Sequence, residues 1–600
     1  MGAWQHYSTL DLSQGEIRLF TLSPGEESEP IAGTLHHTHL RAPDPYQALS
    51  YTWGSSAIQV PISINGHPFM VNSNLYAVLL ELREQGKKIV VWIDAICINQ
   101  ADIEERNAHV PMMHEVYSRA TQVVVWLGRE SEDSNLAMAL LPTIIYDTIS
   151  NPDENPNVLV NRSSQEDMKS TWRPLARLFA RPWWTRVWVI QEVALTSNYI
   201  TVKCGKAEQP WRFFVVVGVI LHDAFVAGAF SHHPRIMNDS ILAGITISSW
   251  PSEIVSMEPG KNKSWTLEHA LTKLARLREA TDPRDKVFGV LNLMPVDQWP
   301  CRPDYSLDVR TLYIRVALHI MEKNKDLRLL ASCVTGDWPT TDAHLRSYFR
   351  RSSITGIPSW VPNWTQMRYC SPFPGGIENT DTVEQQSAIT SGDSCDRCFR
   401  VKNGDILIVF GEIFGGIVAV GERPVITRPY DLFDGTKMLP FANFIYKHLL
   451  QTIKDEVTDQ MCMDAEWALM TCYASQHLSF TRTHYALWRQ FGSLQPTSDF
   501  VDVATARLHG RLVMSMSNGC LGLVPFGVKS GDCIAILKGC HVPMVLRPVE
   551  DEKVESESKE PSRPNRYIVI GEAYVQEYDV IPMDRDPRFQ DTEFQELQLE

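Results

Sequence analysis

This 600-residue chain lacks most of the features that place a protein quickly. Its start, MGAWQHYSTLDLSQGEIRLF, has no basic stretch followed by an apolar one, so no secretory leader is readable and the cytosol is the expected compartment. Long hydrophobic runs are missing too. The most apolar stretch, Phe213–Phe230, is broken by His222 and Asp223, and the uninterrupted part, Phe213–Leu221, is far short of a membrane span and reads as a buried element. Positive charge is in deficit: 56 Lys and Arg against 71 Asp and Glu leave a net charge of −15, which repels phosphate backbones and makes nucleic acid a poor partner. No G-x-x-x-x-G-K-[ST], G-x-G-x-x-G, G-x-S-x-G or H-E-x-x-H string occurs, which weakens the common nucleotide-hydrolase and serine-hydrolase readings. The cysteines, scattered from Cys97 to Cys540, have no regular spacing and read as free thiols packed as small hydrophobes. Cys395-Asp-Arg-Cys398 has zinc-like spacing, but no second ligand pair follows, so a plain loop is preferred and no metal is expected. His36-His37-Thr-His39 lies in a polar lead-in that explains it without a ligand role.

What remains is ordinary globular chemistry: hydrophobic residues at 44% and charged residues at 21% exclude disorder and coiled coil. The length predicts roughly three or four folding units. Residues 1–45 form an N-terminal segment and a Pro-rich lead-in, and order begins at Tyr46. Tyr46–Gly54 reads as a strand ending in a Gly-bearing loop. Leu75, Val78, Leu79 and Leu82 hold a helical period that Asn72 to Asn74 can cap. Ile89–Ile93 and Gln122–Leu127 are apolar runs suited to strands buried on both faces. Ile103–Ala120 between them is helical, with Pro111 expected to kink it. Residues 129–165 read as a surface insertion. A helix over Leu175–Leu195 then leads to the strand Tyr199–Lys203, closing an α/β unit over 46–205 with a parallel, doubly wound sheet. Residues 206–365 are mainly helical, with Leu267, Ala270, Leu271, Leu274 and Leu277 in period. Residues 366–600 hold a small β unit, interrupted by helical residues 435–490 and an acidic loop at 549–565.

Two stretches carry candidate chemistry. In Trp92-Ile-Asp-Ala-Ile-Cys-Ile-Asn-Gln100, Asp94 falls at the carboxyl end of a parallel strand, where doubly wound sheets bind ligands. An equally good alternative has Asn99 and Asp102 capping the next helix while Glu105 and Arg106 form surface pairs. Cys97 with His109 or His114 offers a thiolate pair, against which a lone cysteine after a buried strand is more often packing. In Arg181-Pro-Trp-Trp-Thr-Arg-Val-Trp-Val-Ile-Gln-Glu192, the spacing puts Trp184, Trp188 and Gln191 on one helical face beside Glu192. Tryptophans at that spacing usually mean core. A carboxylate among them is nevertheless desolvated, which raises its proton affinity toward acid/base or cation-stabilising use.

Together with Ala280-Thr-Asp-Pro-Arg-Asp-Lys286, Ile357-Pro-Ser-Trp-Val-Pro-Asn-Trp364, Arg511-Leu-Val-Met and Val542-Pro-Met-Val-Leu-Arg547, these motifs closely resemble the fungal heterokaryon incompatibility (HET) family across most of the chain. His109 and Pro111 depart from the pattern, where relatives tend to have Gln and no proline. The resemblance implies nonself recognition and cell death, with an incompatibility partner protein or self-association through the HET module. HET modules have also been likened to TIR domains, whose enzymatic members cleave NAD. That likeness implies a TIR- or flavodoxin-like α/β fold, then a mainly helical region and a small β-rich C-terminal unit. It also implies Glu192 as the catalytic glutamate, with Tyr51, Trp53, Gly54, Asp94 and Trp188 around the nucleotide, and NAD as substrate, not cofactor. A non-catalytic signalling scaffold and an accessory protein of another pathway are the alternatives.

Overall fold

Short β-branched and aromatic runs buried on both faces build the centre of a sheet. The computed structural model describes residues 7–54, 58–150, 168–196, 199–226, 265–276, 278–334, 354, 356–366, 398–422, 435–452, 457–472, 481–491, 500, 503–504, 507–508, 510–549, 565–576 and 594–600. They belong to two compact units, Met1–Asp308 and Val309–Glu600, and the division falls inside the region 206–365 expected to be helical.

In the first unit the strands are β1 (Glu16–Leu22), β2 (Ala32–His39), β3 (Gln47–Tyr51), β4 (Gln59–Ile64), β5 (His67–Asn72), β6 (Ile89–Trp92), β7 (Gln122–Trp126), β8 (Tyr199–Cys204) and β9 (Ala207–Pro210). They lie in the order β5-β4-β2-β1-β6-β3-β7-β8-β9. The four strands expected from the sequence, β3, β6, β7 and β8, form the parallel centre, and the chain visits them so that the second lies beside the first and the third and fourth follow on its other side. The sheet as a whole is mixed, not parallel: β1 pairs antiparallel with β6 and β2, and β9 antiparallel with β8.

Strand β2 occupies the segment read as a lead-in. Its histidines face β1 and not a loop: His37 Nδ1 lies 3.0 Å from Glu16 Oε1 and its Nε2 lies 2.7 Å from Ser8 Oγ. Arg18 of β1 is buried and donates to Glu105 at 2.6 and 3.1 Å, and also to the carbonyls of Cys97 at 3.1 Å and Ser8 at 2.6 Å. The Asn99 N–H donates to the same Glu105 carboxylate at 2.7 Å. Glu105 is therefore no surface partner: it takes a guanidinium out of water and pins the loop that follows β6.

Helix α1 (Ser73–Leu82) buries Leu75, Val78, Leu79 and Leu82, and Asn72 caps it by accepting from the Leu75 N–H at 2.8 Å. α2 (Asp94–Cys97) is one turn, and α3 (Ile103–Arg119), capped by Asp102, continues through Pro111. α4 (Ser134–Ser150) lies where a surface insertion was expected, yet it buries Ala137, Met138, Leu141 and Ile144 at helical spacing. The expected helix 175–195 is broken into Arg173–Phe179, a turn Pro182–Thr185 and Val189–Ala194. Pro182 explains the first break, because a residue preceding proline is pushed to extended backbone and Arg181 has ψ 144°. Phe214, Val217, Ile220 and Leu221 are buried on the helix Trp211–Val226. Leu267–Ala275 is helical as expected, with Leu277 outside the described residues. No helix among the described residues is long and apolar enough to cross a membrane.

The second unit opens with the helix Val309–Asn324 and holds β10 (Phe399–Lys402), β11 (Ile406–Val420), β12 (Arg511–Met516), β13 (Leu521–Pro525), β14 (Cys533–Leu537), β15 (Met544–Pro548), β16 (Arg566–Glu572), β17 (Tyr574–Val575) and β18 (Gln595–Leu599). Its sheet is larger than the small unit expected. The long strand β11 pairs with both β14 and β18, and β14–β15, β15–β16 and β16–β18 pairings close a ring of five strands, while β10 and β17 each pair on one side only among the described residues. Helices Gly435–Thr452, Asp459–Thr471 and Arg482–Phe491 occupy the predicted helical insertion. Of the acidic loop, only Val549 and Asn565 are described. Arg511 of β12 and Glu572 of β16 form a buried ion pair at 2.8 Å.

Two outcomes are expected. Glu105→Gln leaves the Arg18 guanidinium buried without its counter-charge and should cost about 3–5 kcal/mol in a denaturant melt; an unchanged midpoint would mean that the pair carries no stability. Because β1 is an interior strand, residues 46–205 expressed alone should aggregate, whereas residues 1–308 should run as a folded species by size exclusion and circular dichroism.

Candidate functional site

The parallel strands β3, β6 and β7 end side by side, where doubly wound sheets leave a crevice. The chain leaves β3 through Thr52-Trp53-Gly54, and Gly54 makes the exit at φ +72°, a backbone conformation that a side chain would strain. Asn74 ties two strand ends together: its Nδ2 donates to the Thr52 carbonyl at 2.6 Å and hydroxyl at 3.0 Å, and its Oδ1 accepts from Trp126 Nε1 of β7 at 3.0 Å. Asp94, the second residue past β6 and the first of α2, accepts from the Trp53 indole at 2.8 Å and from the Ala95 N–H at 2.7 Å. Trp53 keeps 42% of its surface exposed, so this end of the sheet presents an indole beside a half-buried carboxylate.

Beneath the rim lies Glu192, buried on the helix Val189–Ala194. Ser50 of β3 donates its hydroxyl to Glu192 Oε2, and Trp183 Nε1 donates to Ser50 Oγ at 2.8 Å. Arg186 is extended, with its backbone bridged to Glu279 and the Val187 N–H donating to the Glu279 carbonyl at 3.0 Å. Its guanidinium donates to the Tyr51 carbonyl and stands 4.0 Å from Glu192 Oε1. Burial pushes the Glu192 carboxyl up to about 7, with the Arg186 charge and the Ser50 hydrogen bond pulling down and the Asp94 charge pushing further up. Desolvation also raises Asp94, against the pull of Arg186 and the Trp53 hydrogen bond. Burial drives the Tyr51 hydroxyl well above its ordinary range.

Of the residues expected at a site, Glu192, Tyr51, Trp53, Gly54 and Asp94 gather at this end of the sheet. Trp188 serves a second cluster: its indole hydrogen-bonds Asp285, which also accepts from the Tyr305 hydroxyl at 2.7 Å and is raised to about 6 by burial. Trp184 packs between Trp183, Trp211 and Phe179, at ring-centroid distances of 4.9, 5.8 and 5.0 Å. The single helical face of Trp184, Trp188 and Gln191 does not exist, because extended Arg186 separates Trp184 from Trp188 and Gln191. Gln191 instead donates to the Phe288 carbonyl at 2.8 Å and accepts from Asn292 at 2.7 Å. Sequence reasoning missed Ser50, Trp183 and Arg186. Ser50 is a polar residue in a strand buried on both faces, and Arg186 is a cation amid tryptophans; those were the readable signals.

Cys97 is packing: burial pushes its thiol up to about 12, and the Ile93 N–H donates to its Sγ at 3.3 Å. His109 and His114 bond the carbonyls of Glu105 and Pro111, each at 2.8 Å, not the thiol. Cys398 is buried with its thiol 3.7 Å from the Lys325 carbonyl, and Cys395 lies outside the described residues. Among the described residues no three His, Cys, Asp or Glu side chains converge on a metal position.

Residues 46–192, running from the start of β3 to the buried carboxylate, match the family model for heterokaryon incompatibility protein (HET). By sequence this segment is similar to a HET domain. The chain is also 24% identical to heterokaryon incompatibility protein 6, OR allele, of Neurospora crassa, with 93% of each chain covered. No solved structure matches it. The HET segment ends at Glu192, yet Glu279, Phe288 and Asn292, which hold Arg186 and Gln191 in place, lie beyond it.

The raised Glu192 carboxyl has a signed consequence for stability. Between about pH 4.5 and about 7 the folded chain keeps a proton that the unfolded chain has released, so stability present below this window is lost as pH rises through it. The loss is on the order of 3 kcal/mol. Glu192→Gln removes it, so the variant's melting temperature should gain on the wild type by roughly a few degrees from about pH 5 to about pH 8. A constant difference would show that Glu192 titrates normally.

Proposed function

We propose that this protein acts in heterokaryon incompatibility, and that its HET domain hydrolyses the ribosyl C–N bond of NAD or a related nucleotide. The HET domain and the full-length similarity to an incompatibility protein support the role. The chemistry rests on one observation: a carboxylate held out of water, with its proton affinity raised toward neutrality, at the carboxyl end of a parallel sheet core. The order of that core, second strand beside first and third and fourth beyond, agrees with the TIR-like topology that the resemblance implies.

In this reading the exposed Trp53 indole stacks on a base and Gly54 lines the nucleotide, with buried Tyr51 packed behind them. Departure of nicotinamide with the C–N electron pair leaves a ribosyl oxocarbenium ion, and the Glu192 anion stabilises the developing charge. Water then adds at the same carbon and gives up a proton, so that NAD and water become ADP-ribose, nicotinamide and a proton. Arg186 keeps part of Glu192 ionised at neutral pH.

A second reading has its own support. Glu192 is only 3% exposed and faces Ser50 and Arg186, as a structural carboxylate would. The HET domain would then work as a scaffold that associates with itself or with a partner protein.

Nicotinamide release from NAD, followed by chromatography, separates the two. Glu192→Gln should lower the rate by on the order of 10²-fold or more while the far-ultraviolet dichroism is unchanged. Wild-type turnover should rise as pH passes through about 7, because the ionised form is the active one. Equal turnover in both proteins removes Glu192 from the chemistry. No turnover in either, with self-association intact, favours the scaffold. Overexpression in a fungal host should arrest growth.

A further inference from the structure

The hydrogen bonds beneath the crevice have a fixed direction. An indole N–H only donates, so Trp183 Nε1, 2.8 Å from Ser50 Oγ, occupies a lone pair of that hydroxyl. Ser50 has one proton to give, and the neighbour in line for it is Glu192 Oε2. All three side chains are buried, so water does not compete for these positions. We infer that Trp183 and Ser50 are positioning residues forming a one-way relay that holds Glu192 Oε2 as an acceptor and leaves Oε1, on the Arg186 side, as the oxygen that takes up and releases the proton. A proton on Oε2 would confront the Ser50 proton head-on. Among the described residues Oε1 meets no such donor: Arg186 Nη1 stands 4.0 Å away, beyond hydrogen-bond distance, with the guanidinium committed to the Tyr51 carbonyl.

The other ionisable groups whose charges bear on Glu192 are Asp94, past β6, and the hydroxyls of Tyr51 on β3 and Tyr117 on α3; Tyr117 donates to the Leu49 carbonyl at 3.1 Å. None of them donates a hydrogen bond to Oε2 among the described residues. The relay also gives the mixed character of the strand a reason: a serine between Leu49 and Tyr51 is where the sheet reaches the carboxylate.

The significance for turnover rests on the reading of Glu192 as the catalytic carboxylate, but the relay is testable without substrate. In the full-length chain, the Glu192 titration midpoint is read from the pH dependence of the melting-temperature difference between each protein and its own Glu192→Gln derivative. Ser50→Ala removes a hydrogen bond that favours the charged form, so the midpoint should rise by roughly one pH unit or more, a tenfold gain in proton affinity. Trp183→Phe keeps most of the ring volume but removes the N–H that polarises the Ser50 hydroxyl, weakening its hydrogen bond to the carboxylate; the midpoint should rise again, by less. Ser50→Thr, which keeps the hydroxyl, should restore the wild-type value. Unmoved midpoints in Ser50→Ala and Trp183→Phe, or downward shifts, overturn the relay.

Should neither variant fold, the infrared difference between wild type and Glu192→Gln below the midpoint decides. A carbonyl stretch lowered by an accepted hydrogen bond supports protonation on Oε1, and an unbonded carbonyl stretch overturns it. If the wild type releases no nicotinamide, the proposed hydrolysis fails while these measurements still judge the relay. If it does turn over, the Ser50→Ala pH profile should shift upward with the midpoint, and a uniform loss of rate without a shift counts against the relay.

Discussion

Keeping the Glu192 carboxylate out of water constrains the architecture of the first unit. A buried charge without adequate partners is costly, and the surroundings of Glu192 supply partners from three separate places. Ser50 comes from the middle of the sheet, Trp183 from a turn that a proline forces out of the helix, and Arg186 from an extended residue bridged to Glu279. A continuous helix over 175–195 would remove the extended backbone from which Arg186 reaches Tyr51. The broken helix thus supplies the groups that temper the cost of burying this carboxyl.

The other buried ion pairs show closer contact between the charges. Arg18 meets Glu105 with two hydrogen bonds, the shorter at 2.6 Å, and Arg511 meets Glu572 at 2.8 Å inside the second unit. Arg186 stops 4.0 Å from Glu192. At that separation the cation tempers the desolvation of the carboxylate without cancelling it, and an incompletely paired acid is the kind that exchanges protons near neutrality. The same residue types therefore serve as a structural pin at Glu105 and as candidate chemistry at Glu192, and the distance decides which.

The parallel centre was legible because β6 and β7 are continuous apolar runs and β3 and β8 are short runs closed by Gly54 and Gly205. The flanking strands were not. β1 carries the buried Arg18 and β2 three histidines, so neither reads as a clean apolar strand until the Arg18–Glu105 ion pair and the His37–Glu16 hydrogen bond are known. The β4–β5 hairpin did carry a local signal, Asn65-Gly66, both at positive φ, although its strands are largely exposed and give little periodicity. At the site, Glu192 stood out through its tryptophan neighbours. Ser50 and Arg186 did not, because their roles arise from contacts spanning 142 and 135 residues, which local spacing cannot reveal.

The HET segment and the folding unit differ in extent for a related reason. Residues 46–192 contain the carboxylate, the hydroxyl and the indoles, yet not what positions them. On one side β1 pairs with β6, and its Arg18 pins the loop from which Asp94 emerges; on the other, Glu279, Phe288 and Asn292 hold the residues flanking Glu192. Recognisable sequence concentrates where chemistry and tight packing restrict side chains. Backbone carbonyls and sheet edges can be supplied by many sequences, so the supporting elements leave a weaker trace. A unit cut to the recognisable segment would keep the groups of the crevice and lose the framework that keeps one of them out of water.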